Sequence, residues 1–512
     1  MLASRGVFKG KPLWDNQVKA LNFLKQSKKR FLCLRAPTGS GKSLIGMEVF
    51  DPPMFYLCSS IELQEQLLRD YPELVLLKGR NNYPCVEGVF ESVELCIKKS
   101  TCPSCLYYKQ KRKLLSSQFG VLNFHYFLNL MNFARPEEKK AERNIVIDEA
   151  DTVETTLIDF ISFDFSFKRL ERLELNIKKP DKKTVVESFQ VWLERFKARL
   201  EKRMGEIKSE IVRIEEKVKN DQKLLGYEQA ILKRWNTYKG LEWKVSFLSS
   251  QEDLKDNWVY YYDEKISLKP KWLNRELTDR FLFNHGKRFL LMSATLPSKP
   301  VLCGLFGLEP NEIDYMELES TWDVTKRPVL YIPKYSLTHK TKKEVRKKIR
   351  NAVSEVLEKE KERGLIHTVS YYLAEYLKGL SPRLIFHNNK DKKRQFQKFI
   401  STPGAVFVSP SSTRGIDLFN DRCRWIVLLK APFPDLSDKQ VSARLYGSGK
   451  FGRLWYQSET IQTIIQACGR ANRHAEDWAT IYLYDEQIGR LLKEHKGLFP
   501  LWFRELVIFK KG

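Results

Sequence analysis

Ala36-Pro37-Thr38-Gly39-Ser40-Gly41-Lys42-Ser43 is a spacing suited to holding a triphosphate. The small residues let backbone N–H groups turn inward on an anion, Lys42 reaches the β- and γ-phosphates, and the Ser43 hydroxyl joins the shell of a Mg²⁺ ion. Ala36 stands where the general pattern has its first glycine. A second group lies over a hundred residues downstream, where Asn144-Ile145-Val146-Ile147 runs into Asp148-Glu149-Ala150-Asp151. Asp148 suits the metal's water shell, and Glu149 suits a base that orients and deprotonates the water attacking the γ-phosphate. Near the C-terminus, Gln466-Ala467-Cys468-Gly469-Arg470-Ala471-Asn472-Arg473 reads as the start of a helical stretch. It would set Arg470 and Arg473 on one face, able to reach a phosphate across a cleft as arginine fingers do.

The elements that must position these groups are short apolar runs followed by polar turns. Phe31-Leu32-Cys33-Leu34 reads as a buried strand, and Ser43 to Met47 as the start of the helix that closes the phosphate loop. Phe289-Leu290-Leu291-Met292 is a further strand, leading to Ser293-Ala294-Thr295, whose hydroxyls could couple the nucleotide site to a nucleic-acid track. Val406-Phe407-Val408 leads to Ser411-Ser412-Thr413-Arg414-Gly415-Ile416-Asp417-Leu418. Strand, phosphate loop and helix recurring with separated strands predict an α/β chain with two lobes around one cleft.

The chain has 512 residues, 42% of them hydrophobic, enough for about three or four domains. Its 89 Lys and Arg against 63 Asp and Glu leave a charge of +26, which points to a polyanionic partner. No apolar run approaches membrane-spanning length, and Met1 to Pro12 lacks a signal-peptide core, so an intracellular protein with no membrane partner is expected. Four of the nine cysteines, Cys85, Cys96, Cys102 and Cys105, are clustered. Spacing alone leaves a [4Fe–4S] cluster and a structural zinc as alternatives, since only Cys102-Pro103-Ser104-Cys105 has the short knuckle form. The remaining five, Cys33, Cys58, Cys303, Cys423 and Cys468, read as core or motif-lining thiols. Lys98, Lys99, Tyr107, Tyr108, Lys109, Lys111, Arg112 and Lys113 interleave cations with rings, a composition that suits a single strand.

From Asp151 to Ser293 the chain is longer than a motor core needs, so an inserted domain is expected there. Phe189, Trp192, Phe196, Leu200, Met204, Ile207, Ile211, Ile214 and Val218 recur at three- and four-residue steps, predicting the packing seam of a long antiparallel helix pair.

The ordered motifs resemble those of superfamily 2 helicases. Lys78-Gly79-Arg80-Asn81-Asn82-Tyr83-Pro84-Cys85, Val121 to Leu128, Gly364 to Ser370 and Lys430-Ala431-Pro432-Phe433-Pro434 narrow the resemblance to the XPD/DinG group of iron–sulfur helicases. That resemblance implies two RecA-like P-loop motor domains, with a cluster domain and a helical arch inserted in the first. The expected plan is motor domain 1 at 1–78, cluster domain at 79–118, motor domain 1 at 119–156, arch at 157–262, the last part of motor domain 1 at 263–300 and motor domain 2 at 301–512.

The resemblance favours [4Fe–4S] over zinc. It implies ATP and Mg²⁺, places Gly415 and Asp417 with the nucleotide-binding residues, and puts Gln17 where related motors contact adenine. It further implies 5′→3′ movement on single-stranded DNA and unwinding at a fork. An RNA or RNA–DNA hybrid helicase, and a nucleotide-switched nucleic-acid-binding protein with a structural zinc, are the alternatives. Asp151 departs from the group, which usually has His there, and gives the letters found in RNA helicases. Gln466 argues the other way, because DEAD-box proteins usually have His at that position. No exonuclease-like extension ahead of the motor is expected.

Overall fold

The computed structural model describes residues 1–88, 93, 102–133, 143–220, 222–252, 254–320, 323–337, 345–410, 418, 420–471 and 476–511. Strands β1 (Phe31–Arg35), β2 (Met54–Cys58), β3 (Val75–Leu76), β4 (Phe119–Asn123) and β5 (Asn144–Asp148) belong to one sheet. An antiparallel three-stranded sheet follows, made of β6 (Phe163–Ser166), β7 (Trp258–Tyr262) and β8 (Lys265–Pro270). The chain then returns to the first sheet with β9 (Phe289–Ser293) and β10 (Ile313–Glu317). The first sheet is wholly parallel, in the order β10-β1-β9-β5-β2-β4-β3.

A second parallel sheet holds β11 (Val329–Tyr335), β12 (Gly364–His367), β13 (Leu384–Phe386), β14 (Val406–Ser409), β15 (Trp425–Leu428), β16 (Thr480–Asp485) and β17 (Val507–Phe509). Its order is β13-β14-β12-β15-β16-β11-β17.

Strands β1, β2 and β9 are buried at every position, as parallel strands with both faces covered must be. Alternate residues feed separate cores: Phe31, Cys33, Phe55 and Leu57 point to one face, Leu32, Leu34 and Tyr56 to the other. The second sheet divides likewise, with Leu365, Phe407 and Ile426 on one side and Ile366, Val408 and Val427 on the other.

The expected helix pair is present as Val185–Lys219 and Gly226–Ser249, and all nine residues of the predicted stripe are buried. Two boundaries differ from the sequence reading. Strand β10 lies beyond residue 300 yet pairs with β1, so the first sheet extends to Glu317. The helix pair stands on the β6-β8-β7 sheet, which carries the inserted unit past 262 to Pro270. Both strands have ordinary β patterns, but partner choice depends on tertiary packing, which local periodicity does not encode. No helix among the described residues is long and apolar enough to cross a membrane.

Candidate nucleotide site between two lobes

The phosphate loop leaves the C-terminal end of β1, the edge at which open α/β sheets hold ligands. Gly39 and Gly41 have φ of 80° and 75°, left-handed values that glycine adopts without a Cβ penalty. At Gly41 the need is also steric, because a Cβ there would lie 2.2 Å from Gln17 Nε2. Gln17 is buried against the loop, its Nε2 3.5 Å from the Ser40 carbonyl, while Trp14 is exposed. Ser40 Oγ donates to the Pro37 carbonyl at 2.8 Å, and Thr38 and Gly39 are half-buried. Lys42 opens the helix Lys42–Glu48 and its ammonium folds back on the carbonyls of Ala36 and Pro37, at 3.3 and 3.1 Å.

Two strands away, Asp148 ends β5. It is fully buried, accepts from Tyr56 Oη at 2.8 Å and from the Glu149 amide at 2.9 Å. Burial pushes its carboxyl above the ordinary aspartate value, opposed by the Lys42 charge and the Tyr56 hydrogen bond. Ser43, at the second position of the helix, lies near the same phenol and opposes the burial that raises its pKa. Glu149 is exposed, held by Ser59 Oγ, and has φ of 53°. A left-handed non-glycine residue stores strain of about 1–3 kcal/mol, a cost met most often at functional sites.

Asp151 is the junction between the lobes. Its Oδ1 accepts from Ser293 Oγ at 2.6 Å and its Oδ2 from Gln466 Nε2 at 2.9 Å. Gln466 also approaches Thr295 Oγ1 at 3.4 Å, and Ser293 Oγ accepts from the Thr295 amide at 3.1 Å. Asp151 thus joins Ser293 and Gln466 directly, and Thr295 through them.

Several expectations change. Gln466 ends a helix, Gly449–Cys468, rather than beginning one; Gly469 caps it, and half-buried Arg470 lies in the following turn. Arg470 therefore lies beyond the helix that was expected to carry it, because the helix ends at Cys468 with Gly469 as its cap. Tyr107, Tyr108 and Lys111 do not offer themselves to bases: all three are buried in the core, with Tyr107 against Tyr83, Tyr108 and the Tyr126 hydroxyl. Lys109, Arg112 and Lys113 are exposed on the same helix, Leu106–Ser116. The alternation read as a ladder of rings and charges is an amphipathic helix whose rings face inward.

Cys102 and Cys105 are buried, and Cys85 is half-buried beside the same core. Cys102 Sγ donates to Glu87 Oε1 at 3.1 Å. No three His, Cys, Asp or Glu side chains converge as a metal site among the described residues, which hold three of the four clustered cysteines. Cys96, Gly415, Asp417 and Arg473 lie outside the described residues. Cys33, Cys58, Cys303, Cys423 and Cys468 are buried, as expected of core thiols.

Sequence reasoning missed Tyr56 and Ser59, because a tyrosine within an apolar strand and a serine after it carry no motif. It also missed Arg35, which leaves the end of β1 to donate to the Leu498 carbonyl of the second lobe at 2.7 Å.

A family model described as Helicase C-terminal domain matches residues 323–506. A solved XPD helicase structure aligns with a TM-score of 0.62 at 17% identity, covering 98% of this chain and 100% of that one. Its fold is that of the solved XPD helicases. Xpd4 of S. tokodaii aligns with this XPD-like chain with a TM-score of 0.57 at 16% identity, over 97% and 99% of the two chains. In sequence, the XPD-like chain is 28% identical over 107 residues to the Regulator of telomere elongation helicase 1 homolog of Caenorhabditis elegans. That segment is 19% of this chain and spans a tenth of the relative, 10% of its length.

Proposed function

We propose that the chain is an ATP-dependent DNA helicase that moves 5′→3′ along single-stranded DNA and separates duplex at a fork. The observation that carries this reading is Asp151, one carboxylate joining the strand after the catalytic acids, the Ser293–Thr295 turn and the second lobe's Gln466. A nucleotide-responsive contact between lobes is what an ATP-driven motor needs and a static binding module does not. Lys42 binds the β- and γ-phosphates, and Glu149 orients the attacking water. Ser43 and Asp148 would hold Mg²⁺, which neutralises charge on the transferring phosphoryl group when bound. Arg470, with Arg473, supplies positive charge from the second lobe.

The net charge of +26 supports a nucleic-acid partner. The resemblance of the ordered motifs to the XPD/DinG group is what supports DNA rather than RNA and the 5′→3′ polarity. A [4Fe–4S] cluster on Cys85, Cys96, Cys102 and Cys105 belongs to the same reading, supported by burial of both Cys102 and Cys105, which only Pro103 and Ser104 separate. Anaerobically purified protein should then be brown and contain iron; colourless protein containing zinc contradicts the cluster.

The direct test is steady-state phosphate release with single-stranded DNA, single-stranded RNA or RNA–DNA hybrid, at one fixed salt concentration. DNA should stimulate release most, and Lys42→Ala and Glu149→Gln should each lower the stimulated rate by roughly 10²-fold or more. Stimulation by RNA alone would turn the reading to an RNA motor, and full activity of Glu149→Gln would remove Glu149 from catalysis.

A further inference from the structure

The helix Gly449–Cys468 is shared by two cores. Its first half puts Trp455 into the core of the first lobe and inserted unit, with Leu454 and Tyr456 packed beside it. Its last turns put Ile461, Ile464, Ile465 and Cys468 into the core of the second sheet. From Trp455 to Gln466 such a helix rises about 16 Å. It is a single rod with one end in each body.

Both ends are fastened to the same short stretch of the first lobe. At the far end, Gln466 donates to Asp151. At the near end the preceding helix, Lys439–Gly447, supplies Arg444, which is 4% exposed. Its guanidinium donates to Glu154 Oε1 at 2.6 Å and to the Lys271 carbonyl at 2.6 Å. It packs against two indoles that meet edge to face, 4.3 Å from the Trp272 ring centre and 4.9 Å from that of Trp455. Trp272 in turn donates its Nε1–H to Ser448 Oγ at 2.7 Å, just ahead of the rod.

The base of the arch holds the same helix. Lys439 Nζ donates to the Tyr260 carbonyl at 3.1 Å, Gln440 Nε2 to the Pro270 carbonyl at 2.6 Å, and Tyr261 Oη to Asp438 at 3.0 Å. Glu154 stands three residues after Asp151, so the contacts form a closed loop: Asp151, Glu154, Arg444, Trp455, Gln466. A displacement of the arch base that moves Arg444 must turn the rod or break a buried ion pair. Breaking such a pair leaves an uncompensated charge, the costlier outcome.

We propose that Arg444 is a positioning residue that couples the β7–β8 arch base to the nucleotide site, so that nucleic-acid stimulation of hydrolysis passes through it. This rests on the hydrolase reading. Arg444 touches neither nucleotide nor the attacking water; it acts through Glu154 and the rod.

The test compares the full chain with Arg444→Gln and Arg444→Lys, reading phosphate release with and without saturating oligo(dT), and the KM for ATP. Arg444→Gln should lose roughly tenfold of the stimulation while basal release and KM stay near parental. Arg444→Lys keeps the charge but not the fork, and should recover part of the loss. Basal and stimulated rates falling together, or stimulation unchanged, would overturn the proposal.

Hydrogen exchange without nucleotide supplies a readout independent of hydrolysis, using Trp272→Phe, which keeps a ring but loses the bond to Ser448 and part of the indole surface against Arg444. Amides of both Tyr260–Pro270 and Ile464–Cys468 should exchange faster together. Loss of protection at the arch base alone, or no change at either, would refute the coupling. A parental chain that releases no phosphate with any strand would instead sink the hydrolase reading, leaving the exchange result to decide the role of Arg444.

Discussion

Asp148 is asked to be an anion in a place that resists anions. Burial holds its carboxyl above the ordinary range, and Lys42, Tyr56 and the Glu149 amide pull it back. Because the folded value is raised, the native state binds this proton more tightly than the unfolded chain. The stability it contributes is present in acid and is lost as pH rises through the folded value. Metal binding has the opposite demand, since Mg²⁺ needs the ionised carboxylate. Affinity for Mg²⁺-nucleotide should therefore begin to fall above the ordinary aspartate range as pH is lowered. Tyr56→Phe removes a hydrogen bond to the ionised form, weakening that affinity by about 1.5–3 kcal/mol and moving the acid limb upward. Calorimetric titration across pH measures both, and an unmoved limb in Tyr56→Phe would show that the phenol does not tune Asp148.

Asp151 makes a second residue-scale claim. With Asp151→Ala, Gln466→Ala and the double variant, strand-stimulated rates should show a coupling of about 0.5–3 kcal/mol, because the side chains share a hydrogen bond. Additive losses would mean that the contact does nothing for turnover.

Among the elements, the helix Lys42–Glu48 packs so closely on the sheet that Gly46 has no room for a methyl group. A Cβ there would lie 2.8 Å from Met292 Cε and 3.0 Å from both the Tyr56 ring and Val146 Cγ1. Gly46→Ala should cost about 1–3 kcal/mol in a denaturant melt and disturb the strand that presents Tyr56. A melt identical to the parental one would contradict this packing.

Element scale is also where the sequence was most and least legible. The phosphate loop could be read because its glycines, lysine and preceding buried strand are constrained locally. The arch helix could be read because Phe189 to Val218 keep one phase for eight turns. The β6-β8-β7 sheet could not, since its strands come from both ends of the insertion and their pairing is not encoded locally. Tyr107 and Tyr108 were misjudged for a related reason: composition says that rings and cations alternate, but not which side of a helix meets the core. Tyr56 was invisible because its function arises from a neighbouring strand.

At the scale of the whole molecule, two parallel sheets each carry their own cores, and a few named contacts cross between them. Arg35 reaches Leu498 from β1, and Gln466 reaches Asp151 beside Asp148 and Glu149. The excess of basic residues supplies long-range attraction for a polyanion, a term that weakens steeply with salt, so comparisons of strands belong at one ionic strength.

The central claim is that hydrolysis at this shared site moves the chain along one strand. Single-turnover separation of a labelled duplex carrying a 5′ single-stranded tail measures it most directly. The account predicts strand release with Mg²⁺ and ATP, none with a non-hydrolysable analogue, and none in Glu149→Gln. Strand-stimulated phosphate release without any duplex separation, or separation that persists in Glu149→Gln, would contradict it.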